Sequence, residues 1–264
     1  MSLVYFAFGV AGVPPGEPLA GRVLVRLLAD LGLSESAARS LLLRMRREAL
    51  LDSERAGREA RYRLGPAPSA AQVRIEGQLR GRRPPWTGSF NGVLYEVPER
   101  RRAYRDRLRR TAHFLGYATL RPGLLVATTD RWDELLSLLP PQPPGSQLLR
   151  TRLTLSAEDS RQAAAKLWDL EAQAVRYRAA LSEARARTDQ AERHPPSAAT
   201  GLRAFAAATL PVYEAGADDP DLPAELLPPD WPGDQIGPAL GRAFQVFGPL
   251  IDEYLAALTG GLAQ

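Results

Sequence analysis

The apolar positions near the start of the chain recur with two different periods, and the change between them marks where helices give way to strands. Ala20, Val23, Leu24, Leu27, Leu28 and Leu31 fall at helical spacing, so Leu19 to Leu31 is predicted to be an amphipathic helix that Gly32 ends. Ser34 suits the N-cap of a further helix to about Glu48, with Glu35 favourably placed in its first turn. Ala38, Leu41, Leu42, Met45 and Ala49 form its inward stripe, and Leu3 to Phe8 makes a short apolar helix ahead of both. From Leu50 to Leu64 the pattern becomes extended around Gly57, which predicts two strands and a tight turn. Ala60, Tyr62 and Leu64 are expected to face the helices, with Arg61 and Arg63 outward. Helix, turn, helix and hairpin in this order predict a winged helix-turn-helix over 1–66.

After a Pro- and Arg-containing linker at 67–85, the pattern alternates strand and helix over 86–156. Phe90 to Tyr95 reads as a strand, Glu99 to Leu115 as a helix behind Pro98, and Tyr117 to Leu120 with Leu124 to Thr128 as two strands around a Pro-Gly turn. Trp132 to Leu139 reads as a helix and Gln147 to Leu155 as a last strand, an order that predicts a ferredoxin-like α/β domain. The remainder, 157–264, is predicted all-α. Its first helix carries a seam of Ala163, Leu167, Leu170, Ala174, Tyr177, Leu181 and Ala184, able to pair with another subunit or, somewhat preferred, to pack internally. Leu202 to Leu210 forms another helix. The last carries Ile236, Leu240, Phe244, Phe247, Ile251, Leu255 and Leu258, with a kink at Pro249. The fold class is therefore α+β, multidomain.

Charge sharpens this picture because it is unevenly spread. Residues 1–66 carry ten Arg against seven acids, residues 74–110 eleven against four, and residues 211–264 one against nine. A basic front and an acidic tail suit a chain whose N-terminal half meets phosphates. On the outward face of the 34–48 helix lie Ser36, Arg39, Ser40, Leu43 and Arg47, with Arg44 also counted among the DNA-facing residues. Arg reads guanine bidentately or takes a phosphate, Ser donates adaptably, and an exposed Leu meets a thymine methyl. Gly57 lets the hairpin tip carry Arg55 and Arg58 toward DNA.

Other chemistry is poorly supplied. The chain has no cysteine and two distant histidines, His113 and His194, so thiolate chemistry is excluded and a metal site is not expected. No nucleophile, base and acid stand at supporting spacing, so no enzyme is expected. No apolar run is long enough for a membrane span, and a cytoplasmic protein beginning at Met1 is expected.

The residues Ala38, Arg39, Ser40, Arg44 and Met45, followed by Arg55 to Arg58 and Tyr62 to Leu64, resemble the winged-helix half of the phenylacetic acid degradation repressor family, PaaX. Trp86 to Phe90, then Val97, Pro98, Glu99 and Arg105 through Leu115 to Tyr117, are similar to its central block. Asp219 to Gly233, punctuated by Pro220, Pro223, Pro228, Pro229 and Pro232, resembles its C-terminal signature. The sequence departs from the family pattern at Ala49, where a Gly is expected, at Leu43, where a polar residue is expected, and in the loop from Gly9 to Pro18, which lacks a Gly-Asp pair.

The resemblance implies a repressor that binds a double-stranded DNA operator controlling aromatic-acid catabolism, and that an aryl-acyl-CoA such as phenylacetyl-CoA releases. No cofactor is expected. Tyr213 and Trp231 are the candidates for lining the effector pocket, against the plainer reading of both as core anchors. The central domain is implied to resemble a small CRISPR-associated nuclease. Only Glu96 stands near its first strand's end, so a dimerisation or spacer role is expected instead. A homodimer on an inverted repeat is the expected functional unit. The rival is a winged helix that contacts proteins rather than DNA.

Overall fold

The computed structural model describes residues 2–57, 59–66, 68–69, 72–73, 77, 83–217 and 219–260, so most of the predicted linker lies outside the described residues. The chain is α+β, with helices and two small antiparallel sheets. It divides into two compact units, each drawing on separate stretches of chain.

The first unit takes Met1–Val73, Arg176–Ala217 and Pro232–Gln264. Helix α1 spans Ser2–Val10, and strand β1 follows at Leu19–Ala20. Helices α2 and α3 span Gly21–Asp30 and Glu35–Arg47. Strands β2 and β3, Leu51–Ala56 and Glu59–Leu64, complete a sheet of order β1-β3-β2. The helix expected from Leu19 thus begins at Gly21, because Leu19 and Ala20 instead pair with Tyr62 and Arg61 of β3. Gly21 permits this approach, since a Cβ there would lie 2.7 Å from the Ala60 carbonyl oxygen.

Ser34 caps α3 by accepting a hydrogen bond from the Ala37 N–H at 3.2 Å, as its sequence position predicts. The C-terminus of α3 differs from expectation. The Leu50 N–H reaches the Met45 carbonyl and the Ala49 N–H the Arg46 carbonyl, a Schellman arrangement that places Ala49 at the left-handed position with φ 56°. Ala49 is exposed rather than inward, because this turn swings it out of the helical stripe. Ala60 is exposed as well, lying opposite Arg55 near the hairpin tip, while Tyr62 is half-buried and Leu64 buried.

The core of this unit joins chain ends. Val4, Phe6, Phe8, Leu24, Leu27, Leu28, Leu42 and Met45 are buried in one cluster with Phe205, Phe247 and Ile251. These last three come from α8, Ala198–Ala217, and α9, Ile236–Gly260. Phe6 lies 5.9 Å from Phe205 and 6.2 Å from Tyr213, ring centre to ring centre. Asp30, at the end of α2, accepts the Tyr254 hydroxyl at 2.7 Å and the Arg26 Nε at 2.8 Å, and its carbonyl accepts the Arg203 Nε at 2.7 Å. The C-terminal helices therefore complete the core of the N-terminal ones, and the compact units cut across the sequence boundaries at 66 and 157. The physical reason is that α1 to α3 expose an apolar surface, centred on Phe6, that their own short sheet does not cover. Phe244, expected on the inward face of α9, is 55% exposed at the rim of this cluster.

The second unit takes Arg74–Val175 and Asp218–Trp231. Its order is β4 (Phe90–Glu96), α4 (Arg102–Phe114), β5 (Ala118–Arg121), β6 (Leu124–Ala127), α5 (Trp132–Leu138) and β7 (Gln147–Leu153). The antiparallel sheet runs β5-β6-β4-β7, leaving β5 and β7 as edges. Val93, Leu108, Ala112, Leu125 and Leu135 are buried, and Phe90 is sealed by Trp86 at 5.0 Å and Trp168 at 6.3 Å.

The long seam helix is two helices, α6 (Ala157–Leu167) and α7 (Leu170–Arg193). They part at Trp168 and Asp169, where Asp169 takes φ 44°. Leu170, Ala174, Tyr177, Leu181 and Ala184 are buried within the chain, whereas Ala163 and Leu167 before the break are only half-buried.

Candidate nucleic-acid interface

Helix α3 turns Ala38, Leu42 and Met45 into the core, and the same 3.6-residue repeat brings Ser36, Ser40, Leu43 and Arg47 to its outer crest. Arg39 and Arg44 flank that crest, and all six side chains are exposed. Leu43 is 46% exposed, a costly placement for a large apolar residue unless something covers it. Arg39 is partly engaged, pairing with Glu35 one turn earlier at 3.3 Å. That exposed pair holds Arg39 by only about 0.3–0.5 kcal/mol, so an incoming acceptor can replace it.

The side chains of Arg44 and Arg47 make no hydrogen bond or ion pair among the described residues, and neither does that of Arg46, which the sequence reading left out. Arg46 lies at the edge of the buried stripe, so periodicity alone places it ambiguously. The structure puts it on the wall of a groove of about 330 Å³ lined by Leu43, Arg46, Arg47, Leu51, Asp52 and Ser53. This groove separates the last turns of α3 from β2.

The hairpin supplies a second wall. Gly57, with φ 65°, turns the chain between β2 and β3. Arg55 and Arg61 are exposed and free of acid partners among the described residues. Arg63 is held on the strand surface by Glu54 at 3.5 Å and Asp52 at 4.0 Å. Arg58 lies outside the described residues.

The two aromatic candidates for an effector pocket do not come together in one unit. Tyr213 is half-buried on α8 against Phe6, and Trp231 is buried in the second unit. The C-terminal helices of the first unit border an open pocket of about 230 Å³ lined by Arg187, Gln190, Ala191, His194, Pro196, Ala204 and Phe247, and neither candidate lines it. Arg242, the one cation in the acidic tail, is consumed by Asp189 at 2.6 Å and by Glu192, whose oxygen its Nε reaches at 3.1 Å. No acidic or histidine cluster able to hold a metal occurs among the described residues, and no helix among them is long and apolar enough to cross a membrane.

This arrangement of an arginine-crested helix beside a basic hairpin, ahead of an edge-exposed sheet and a helical tail, coincides with three consecutive family matches. Residues 1–67 match PaaX-like protein, residues 83–160 the PaaX protein central Cas2-like domain, and residues 168–257 the PaaX-like protein C-terminal domain. The chain belongs to the PaaX family. A curated PaaX relative, the transcriptional repressor PaaX of Escherichia coli (strain K12), is 25% identical over 218 residues, covering 80% of this chain and 68% of the relative. Among solved structures, the uncharacterized protein Rv0674 from Mycobacterium tuberculosis superposes with a TM-score of 0.50 at 23% identity, covering 96% of this PaaX-family chain and 99% of its own. That likeness concerns fold alone.

Proposed function

We propose that this PaaX-family chain is a DNA-binding transcriptional repressor whose α1–α3 and β1–β3 act as a winged helix-turn-helix, with α3 in the major groove. The observation that carries the reading is the outer face of α3. It presents Ser36, Ser40 and an exposed Leu43 among Arg44, Arg46 and Arg47, none of which spends its charge on a neighbouring acid. A helix of this width fits the B-DNA major groove, where Arg reads guanine O6 and N7 and Leu43 packs on a thymine methyl. Arg55 and Arg61 on the hairpin then meet phosphates and fix the register of α3 without reading sequence.

The second unit, with its β-α-β-β-α-β order, is read as a ferredoxin-like pairing module. Leu94 and Leu149 are cross-strand partners at the β7 edge and stand 42% and 45% exposed, which favours a second copy there. A two-fold dimer would take an imperfect inverted repeat with half-sites about one helical turn, roughly 10 bp, apart. Release by an aryl-acyl-CoA effector, and control of aromatic-acid catabolism, complete the proposal. The shared core gives an effector a route. Any ligand that shifts α8 or α9 acts on Phe6 and Asp30, the contacts that seat α1 and α2 against the C-terminal helices.

The test is guanine N7 methylation interference on a genomic fragment that the full-length protein protects from cleavage. Methylation of guanines within the protected site should abolish binding, because N7 lies in the major groove. Binding indifferent to N7 methylation would overturn the placement of α3.

A further inference from the structure

Arginines that lack an acidic partner are not scattered evenly over this molecule. In the second unit Arg131 pairs with Glu134 at 3.0 Å, Arg161 with Glu158 at 2.9 Å, and Arg150 with Asp130. Other arginines of the same unit are exposed and have no such partner among the described residues. They concentrate on one stretch, the 3-10 turn Glu99–Arg101 and the helix α4 that follows it. Arg100, Arg101, Arg107, Arg109 and Arg110 are all exposed and their side chains make no hydrogen bond or ion pair among the described residues, while Arg121 and Arg152 stand singly on strands. Within the same stretch only Arg102 and Arg105 are matched, by Asp106 at 3.5 Å and Glu99 at 2.7 Å. Residues 99–113 thus hold seven arginines against two acids.

Helix stability does not account for this composition. Basic residues at the start of α4 oppose the helix dipole, and its first turn contains no acid. Arginines at 107 and 110 stand one turn apart, and like charges at that spacing repel. The buried side of α4, through Leu108, Thr111 and Ala112, is satisfied by packing, so the charges serve nothing inside the fold. Within α4, from Arg102 to Arg110, the basic surface extends about 12 Å at helical rise, the length of roughly three to four phosphates along one strand of duplex DNA.

We infer that the exposed face of α4 is a second DNA-binding surface, one that contacts the phosphate backbone without reading sequence. It deepens the repressor reading and rests on it. The arginines of α3 select the site, and those of α4 add affinity and salt dependence wherever the protein lands. The stretch exposes no large apolar residue and its one aromatic, Tyr104, is half-buried, which favours a duplex backbone over single-stranded nucleic acid.

The experiment uses the full-length chain with two unrelated mixed-sequence DNA duplexes and one RNA duplex, titrated over a range of salt. Three proteins are compared with the wild type: the triple variant Arg107→Gln, Arg109→Gln, Arg110→Gln; the same three positions changed to Lys; and Arg47→Ala in α3. The triple Gln variant should bind both DNA duplexes more weakly by the same factor, and its log-log salt slope should fall by about 2 to 3. The Lys variant should restore the slope, and the thermal midpoints of all variants should stay close to that of the wild type. An unchanged slope in the Gln variant overturns the inference while leaving α3 in place. A reduced slope in the Gln variant beside an unaffected Arg47→Ala upholds it and removes α3 instead. Preference for the RNA duplex overturns the assignment to DNA, and failure of the wild type to bind any duplex overturns both readings.

Discussion

Ala49 is the position where sequence and backbone conflict most directly, and replacing it with glycine should stabilise the protein. Its φ of 56° places a Cβ in the left-handed region at the C′ position of α3. For an L-residue this costs about 1–2 kcal/mol. The Ala49 side chain is exposed, so removing its methyl sacrifices no packing. Glycine widens the unfolded ensemble, which offsets about 0.4–1 kcal/mol of the gain. Ala49→Gly should therefore add roughly 0.5–1 kcal/mol, a rise of about 1–4 °C in a domain of this size. The check is urea unfolding followed by circular dichroism, with Ala49→Val as the opposing control, since β-branching at positive φ is worse than alanine. A neighbouring glycine reports on the same turn. A Cβ at Gly65 would sit 2.5 Å from the Ala49 carbonyl oxygen, so Gly65→Ala should destabilise by about 1–3 kcal/mol. A less stable Ala49→Gly protein would refute the Schellman geometry at the end of α3.

Phe205→Ala should cost about 3–5 kcal/mol, because the ring is buried against Phe6 and Phe247. Hydrogen exchange should then quicken in α1 to α3 as well as in α8 and α9, and acceleration confined to the C-terminal helices would contradict a shared core. Alkali should weaken the fold through two phenols. Burial pushes Tyr5 up to about 12, helped by the nearby Tyr213 and Glu48, and burial together with the Asp30 hydrogen bond raises Tyr254 further. Both hydroxyls hold their protons more tightly folded than unfolded, so their contribution is intact below the ordinary tyrosine value of 10.0 and declines as pH rises toward 12. Denaturant midpoints compared at pH values on either side of 10 should fall for the wild type and fall less for Tyr5→Phe and Tyr254→Phe.

Much of this was legible in the residues. The inward stripe of α3, the Ser34 cap and the strand and helix order of the second unit all follow from periodicity and turn chemistry, which act over a few residues. What escaped were consequences of distant contact. Nothing local distinguishes Leu19 and Ala20 from the first residues of a helix, and only their pairing with β3 makes them a strand. The partnership of Phe6 with Phe205 spans most of the chain, so no window of sequence discloses that the tail completes the N-terminal core. Asp169 sits inside an uninterrupted apolar seam, and its left-handed turn carries no glycine signal. In the interface, residue type and spacing found the crest of α3, but not that Arg39 and Arg63 are engaged by acids while Arg46 is free.

The reading of α3 as the element that selects DNA is tested most directly by enriching bound duplexes from a random pool with the full-length protein. The affinities of wild type and Arg47→Ala are then measured for the enriched duplex and for its single-base variants. The predicted result is a loss of about 1–3 kcal/mol for Arg47→Ala on the enriched duplex, with discrimination relaxed at one base pair in each half-site. Equal affinity and an unchanged base preference for the two proteins would contradict it.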